Sequence, residues 1–303
     1  MDGKNGRAAS RLRTKIESGK CVWLAGAYDA LSATLAQQAG FEGIFTTGLG
    51  ISASHLGRPD IELYTMTENL AVTSAIAEAL PHAPIISDCD TGYGDVRNVI
   101  RTVRNFERAG VAGVVLEDQV SPKRCPLLPG VPELNPVDDA VAKIEAACAA
   151  RNQPETLIIA RTDAQSMDEC IARARAYAEA GADLVQPTSV CVQSFDDLLR
   201  LKREVPKPIS LMVLSWLEVE LAPAQIEQVA GLATFPLVGL LSTVRALQEN
   251  YTALAAHHDA GKLPREKASL KEFEHIWDDF MDATSRLVNT GTRSLAKRAP
   301  AEQ

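Results

Sequence analysis

Eight short apolar runs, each followed by a longer amphipathic stretch, recur along the chain, and no other feature limits its fold as tightly. The runs are 22–25, 43–46, 84–87, 113–116, 157–160, 182–185, 209–212 and 232–235. The stretches that follow them are 29–39, 67–79, 96–108, 137–150, 168–179, 194–204, 223–229 and 237–257. Short apolar runs without alternation suit strands buried on both faces of a parallel sheet. The segments QQAGFEGIF, ERAGVAGVV, AEAGADLV and QVAGLATF each put Ala-Gly between a helix and a strand. Gly40, Gly110, Gly181 and Gly231 are therefore expected just past helix C-termini, where a left-handed backbone costs glycine little. The first three lie 70 and 71 residues apart, two βα units of ordinary size per interval. Eight such units without a Pro/Gly/Ser-rich linker favour a closed (β/α)8 barrel. An open doubly wound sheet is the alternative, but no G-x-G-x-x-G follows the first strand. The barrel is expected over residues 1–260. Residues 261–303 form a C-terminal helical extension. There KEFEHIWDDFMDATSRLV reads as one amphipathic helix, with Phe273, Ile276, Trp277 and Phe280 on an apolar side that packs against another subunit.

Composition narrows the function. With 46% hydrophobic residues in 303, a full core is available without disulfide or metal staples. A net charge of −8 argues against nucleic acid as a partner, which needs clustered Lys and Arg. Cys21, Cys89, Cys125, Cys148, Cys170 and Cys191 have no C-x-x-C spacing and read as reduced thiols of a cytoplasmic protein. The N-terminus has no apolar signal region. The charge-free run 228–244 contains Gly231, Pro236 and Gly239 and is too short for a membrane span.

In a parallel barrel the chemistry gathers at the C-terminal ends of the strands. The third run leads into Ser-Asp-Cys-Asp-Thr-Gly-Tyr-Gly, where Asp88 and Asp90 are two apart and share a face while Cys89 points into the wall. The fourth ends in Glu117, the fifth in Arg161-Thr162-Asp163, and Asp60 follows the second by a short connection. One aspartate alone at such a place would read as a helix cap. Several carboxylates converging on one barrel mouth repel each other unless a cation joins them. Hard oxygen donors without histidine point to Mg²⁺, with Mn²⁺ as an alternative. Asp163 is expected to cap or orient Arg161. Arg161 either pairs with a wall carboxylate or clamps a substrate carboxylate, and its strand-end position favours the clamp. The proline-rich segment 121–136 is long enough to be a lid, and in it Lys123 and Arg124 precede Cys125. Two neighbouring cations are expected to lower the thiol pKa and suit Cys125 to proton transfer. The other cysteines read as small hydrophobes.

The motifs AYDALSA at 27–33, TTGLG at 46–50, GRPD at 57–60, DCDTGYG at 88–94, EDQVSPKRC at 117–125 and IIARTDA at 158–164 occur in that order. Together they resemble the isocitrate lyase/phosphoenolpyruvate mutase superfamily, over residue 20 to about 255. The nearest members are its 2-methylisocitrate lyase-like and dimethylmalate lyase-like ones. The resemblance implies a (β/α)8 barrel whose last helix is exchanged between subunits, giving a homodimer or homotetramer. It implies Mg²⁺ holding a 2-oxo acid or its enolate. By resemblance Asp88 coordinates the metal directly, and Asp60, Asp90 and Glu117 hold it mostly through water. Thr47, Gly48 and Leu49 form the turn that takes the substrate carboxylate, and Arg161 binds substrate. Cys125 is the catalytic acid on a gating loop with Lys123 and Arg124, a run that points to the lyase side.

The chain also departs from the lyase pattern. Pro126-Leu127 replaces the usual Gly-His, Phe45 replaces a tyrosine, Gln186-Pro187-Thr188 replaces Glu-Ala-Pro, and Met212 stands where asparagine is usual. These departures argue against isocitrate and methylisocitrate and for a smaller or more apolar side arm. The expectation is a Mg²⁺-dependent lyase. It would split the C2–C3 bond of a substituted malate-type 2-hydroxy acid, releasing a 2-oxo acid and a carboxylate. With Phe45 lacking a hydroxyl, the base is a metal-bound water or a carboxylate of the metal shell. The rivals are an oxaloacetate hydrolase or decarboxylase, a carbon–phosphorus enzyme of the phosphonopyruvate type, and a degenerate barrel that only binds a 2-oxo acid.

Overall fold

The computed structural model describes residues 5–278 together with Met281 and Ser285. The strands are β1 (Val22–Ala27), β2 (Gly43–Thr46), β3 (Ile85–Asp88), β4 (Gly113–Glu117), β5 (Leu157–Thr162), β6 (Leu184–Pro187), β7 (Ile209–Met212) and β8 (Ala230–Phe235). Each pairs parallel to the next, and β8 pairs with β1 to close the barrel. The helices are α1 (Asn5–Glu17), α2 (Ala30–Gln38), α3 (Gly48–Ile51), α4 (Met66–Ala79), α5 (Val96–Ala109), α6 (Val137–Ala150), α7 (Met167–Glu179), α8 (Phe195–Glu204), α9 (Trp216–Glu220), α10 (Pro223–Val229), α11 (Val238–His257) and α12 (Leu270–Glu274). The outer helices begin where the chain offers a capping oxygen. Asp29, Thr65, Asp95, Ser166 and Ser194 each accept a backbone N–H of the first turn. The barrel is a (β/α)8 fold, as the alternation of the eight runs requires.

Strand parity sorts the core into two layers. Leu24, Phe45, Ile86, Val115, Leu157, Ile159, Leu184 and Leu232 fill the barrel interior. Ile44, Ile85, Val114 and Ile158 face outward onto the helices. Successive side chains on a strand point to opposite faces, so the inward set also determines what emerges at the C-terminal rim. Continuing by twos from Phe45 gives Thr47, from Ile86 gives Asp88 and Asp90, from Val115 gives Glu117, and from Ile159 gives Arg161.

The opposite end is closed by α1, which the alternation of runs does not announce. Its Ala9, Leu12 and Ile16 join the interior layer. Gly40, Gly110 and Gly181 have φ of +98°, +98° and +102°, as expected past a helix end. Gly231 does not belong with them. It lies within β8, where a Cβ would come within 2.9 Å of Pro208 and 3.2 Å of Ile16. Close approach, not a turn, explains glycine there.

The chain forms two compact units, the first ending at Val244 and the second beginning at Arg245. The break falls inside the helix that the sequence assigns whole to the barrel. In the second unit the expected amphipathic helix can be followed only over its first part, and most of it past Asp278 lies outside the described residues. The five-residue α12 passes into a 3-10 turn, His275–Trp277, where the Asp278 N–H bonds to the His275 carbonyl three residues back. Phe273 and Trp277 meet edge to face at 4.7 Å, while Phe280 lies outside the described residues. No helix among the described residues is long and apolar enough to cross a membrane.

Candidate active site

At the rim of the barrel five buried carboxylates, Asp60, Asp88, Asp90, Glu117 and Asp163, face two cations, Lys123 and Arg161. The Lys123 ammonium lies 2.6 Å from Asp60 Oδ1 and 2.8 Å from Asp90 Oδ1. Arg161 reaches Glu117 Oε2 at 2.9 Å and Asp163 Oδ1 at 3.0 Å. Asp163 is itself fixed by the Gln119 side chain, which donates at 2.7 Å, and its backbone N–H donates to Asp118 at 3.0 Å. So Asp163 orients Arg161, and Arg161 is engaged by wall carboxylates in this structure while still lining the pocket. Both pairs hold their cations charged against the pull of burial.

The carboxylates outnumber the cations, and the imbalance appears in their protonation. Burial, then Asp90, pushes the Asp88 carboxyl up to about 6. Burial also raises Glu117 well above the ordinary range, and raises Asp60 despite Lys123. Asp90 Oδ2 and Glu117 Oε1 are buried with no hydrogen-bond partner. Asp90 is further marked by a left-handed backbone, φ +48°, unusual for a residue with a side chain.

Among the described residues no three His, Cys, Asp or Glu side chains close on one point as a metal requires. The ammonium of Lys123 stands between two of the expected ligands, a place for it that sequence spacing does not reveal. The donor set nevertheless suits a divalent cation. It consists of hard carboxylate oxygens without histidine, in negative excess, with orphaned oxygens on two of its members.

Beside this cluster Thr47 caps α3, its hydroxyl accepting from Gly50 N–H at 3.4 Å. Gly48 N–H donates to Asp88 Oδ2 at 3.3 Å. A Cβ on Gly48 would lie 2.7 Å from Tyr64 Oη and 3.0 Å from Asp88 Oδ2, so only glycine lets this turn approach the carboxylates. Phe45, Thr47, Leu49, Asp60, Asp88 and Cys125 line one pocket with Arg161. The lining contributed by β6, β7 and the residues after them is uncharged and includes Gln186, Thr188, Met212 and Leu214. Gln186 accepts from Ser210 at 2.9 Å.

Two expectations for the 121–136 segment need correction. Cys125 is buried, and burial raises its pKa, outweighing Lys123 and Arg161. Lys123 spends its charge on Asp60 and Asp90, and Arg124 turns away, its guanidinium bonded to the Pro129 carbonyl. Arg124 therefore does not join the pocket, whereas Cys125 does, its backbone N–H donating to Asp60 O at 2.9 Å. Two neighbours of the site carry no signal in the motifs: Tyr64, whose buried hydroxyl has no partner, and Glu62. Both follow Asp60 in a connection where polar residues otherwise look like ordinary loop.

The family model described as phosphoenolpyruvate phosphomutase matches residues 12–250. A 2,3-dimethylmalate lyase of Eubacterium barkeri is 38% identical over 251 residues, covering 81% of this chain and 86% of that protein. An oxaloacetate acetylhydrolase in complex with 3,3-difluorooxalacetate superposes with a TM-score of 0.85 at 31% identity, covering 94% of this chain and 98% of that one. A phosphonopyruvate hydrolase complexed with oxalate and Mg²⁺ superposes with a TM-score of 0.82 at 30% identity, covering 92% and 98%.

Proposed function

The chain belongs to the PEP mutase/isocitrate lyase superfamily, and on that premise we propose that it is a Mg²⁺-dependent carbon–carbon lyase acting on a substituted malate-type 2-hydroxy acid. The observation that carries the reading is one pocket that joins a carboxylate cluster in negative excess to a cysteine thiol and an arginine. Its relatives include a 2,3-dimethylmalate lyase and a hydrolase holding Mg²⁺ with oxalate.

Asp60, Asp88, Asp90 and Glu117 would hold the cation. Bound there, Mg²⁺ or Mn²⁺ neutralises the cluster and polarises the oxygen atoms of the reacting 2-hydroxy acid. Arg161 and the Thr47–Gly48–Leu49 turn take the C1 carboxylate and orient the C2 hydroxyl. Phe45 has no hydroxyl, so a carboxylate of the cluster receives the hydroxyl proton. The C2–C3 electron pair then passes to C3, and the Cys125 thiol delivers its proton to that carbon. A thiol kept neutral by burial suits a proton donor better than a nucleophile. Lys123, which neutralises Asp60 and Asp90 in this structure, would be relieved of that role with a cation bound. The uncharged part of the lining, with Met212 and Leu214, favours an alkyl side arm.

The second reading is cleavage of oxaloacetate, favoured by the likeness to an oxaloacetate acetylhydrolase. Carbon–phosphorus chemistry has less support, because Cys125 lies in the pocket. Incubating the protein with Mg²⁺ and a panel of alkylmalates, isocitrate, oxaloacetate and phosphonopyruvate, and identifying the products, separates these readings. A 2-oxo acid from an alkylmalate supports the lyase.

Assembly and location complete the proposal. On α11, Leu241, Leu247, Tyr251 and Leu254 are exposed, and an apolar groove on the barrel unit is lined by Leu31, Leu35, Phe41 and Phe235. A homodimer or homotetramer that exchanges α11 between subunits would cover such faces. Six free cysteines suit the cytoplasm.

A further inference from the structure

Glu62 stands two residues after Asp60 with φ of +60°. Glycine adopts this left-handed conformation freely, and a residue with a side chain does not. Such strain persists where the surrounding structure enforces it. Here the enforcing contacts are all on the carboxylate. Oε1 accepts from the Thr91 hydroxyl at 3.0 Å, and Oε2 accepts from the Ser121 hydroxyl at 2.8 Å and from the Lys123 backbone N–H at 2.7 Å. Hydrogen bonds to an ionised carboxylate are the stronger kind.

The three partners come from two different connections. Thr91 follows Asp90 at the exit of β3, and Ser121 and Lys123 begin the segment that carries Cys125. Glu62 therefore ties the connection bearing Asp60, the turn bearing Asp90 and the segment bearing Lys123 and Cys125. Its bond to the Lys123 N–H fixes the backbone from which the ammonium reaches Asp60 and Asp90. Two residues further on, the Cys125 N–H bonds to Asp60 O at 2.9 Å. A second clasp on the same segment is local, with Gln119 and Arg124 exchanging bonds of 3.0 and 2.9 Å. Glu62, Asp60 O and the ion pair of the Lys123 ammonium with the Asp60 carboxylate attach the segment to the connection before α4, and of these only Glu62 also reaches the exit of β3 through Thr91. Glu62 does not line the pocket and touches neither the thiol nor the ammonium.

We infer that Glu62 is a positioning residue, a clamp that seats the Cys125 segment on the metal-side connections at the expense of a strained backbone of its own. The clamp acts through Lys123 and Cys125. Its catalytic consequence rests on the lyase reading proposed above, but its mechanical consequence does not.

The test uses the full-length protein with two substitutions. Glu62→Gly removes the carboxylate and the strain together. Glu62→Gln keeps the reach, but puts an amide NH₂ in place of one of the two accepting oxygens. Trypsin cleavage after Lys123 and Arg124 is followed by mass spectrometry beside thermal melting. In the native chain Lys123 is 2% exposed and should resist cleavage. Glu62→Gly should melt no lower than the native protein, yet be cut at this segment about tenfold faster, with Glu62→Gln between the two. Turnover of an alkylmalate in Glu62→Gly should fall by about 10²-fold while calorimetric binding of pyruvate with Mg²⁺ is kept. Native cleavage rates in Glu62→Gly overturn the inference, and so does faster cleavage that only tracks a lowered melting temperature. Should Glu62→Gly not fold, native cleavage of Glu62→Gln overturns it. If the cleavage result holds while the native protein splits no alkylmalate, the clamp stands and the lyase reading falls.

Discussion

The Asp88 carboxyl, pushed up to about 6 first by burial and then by Asp90, makes the stability of the metal-free protein depend on pH. Its folded pKa lies above the ordinary value of 3.8, so between those values the folded state binds more protons than the unfolded chain. Stability is then highest at the acidic end of that window and is lost as pH rises through about 6. Metal-free protein should melt higher at about pH 5 than at about pH 7. Asp88→Ala should flatten this slope and abolish Mg²⁺ binding by calorimetry. An unchanged slope with native Mg²⁺ affinity would remove Asp88 from the cation site. For Cys125→Ser a loss in turnover of about 10²–10⁴-fold is expected, the usual cost of one positioned acid. Pyruvate binding should survive, since Thr47 and Arg161 are untouched, and full turnover in that variant sinks the acid assignment. Alkylation of the native thiol should be slow, because it is buried and its pKa is raised. This is where the sequence was least legible. Strand parity announces that Asp88, Asp90, Glu117 and Arg161 emerge at one rim. Parity stops at the loop, so it could not tell that Lys123 turns inward, that Arg124 turns out to Pro129, or that burial outweighs both cations at Cys125.

The elements themselves were readable wherever burial on two faces left an uninterrupted apolar run. β2 and β7 start and stop where the runs do, and α6 and α10 match their stretches residue for residue. The ends of β4 and β5 extend past the runs because Glu117 and Arg161 continue the ladder as a paired register. α1 was missed because it precedes the first run and carries its apolar residues among arginines and lysines. Its Ala8, Leu12 and Ile16 nonetheless recur at four-residue spacing, the signal that could have found it. Leu12 is 2% exposed, and Leu12→Ala should cost about 2–5 kcal/mol in urea denaturation. A cost below about 1 kcal/mol would mean that α1 does not seal the barrel base. α11 yields the matching prediction for assembly. Leu241 is 58% exposed, an apolar surface that exchange between subunits would cover. By light scattering the native protein should exceed its monomer mass of 32.6 kDa, and Leu241→Glu should lower the assembly. A native monomer rules the exchange out.

For the molecule as a whole, a net charge of −8 is reproduced in miniature at the rim, where buried carboxylates exceed their cations. The closed barrel makes this tolerable, since its interior is packed by Phe45, Ile86, Val115 and their neighbours and the charge is confined to one end. The same arrangement supports the proposed reaction, with carboxylates to hold the cation, an arginine for the substrate carboxylate, and a neutral thiol lining the same pocket. The most direct test is to follow a 2,3-dialkylmalate with Mg²⁺ in ²H₂O by NMR. The account predicts equal amounts of a 2-oxo acid and a saturated monocarboxylate. The monocarboxylate should carry one deuterium at the carbon that had been C3, and no products should form with EDTA. Intact dialkylmalate, beside rapid cleavage of oxaloacetate by the same preparation, would contradict it.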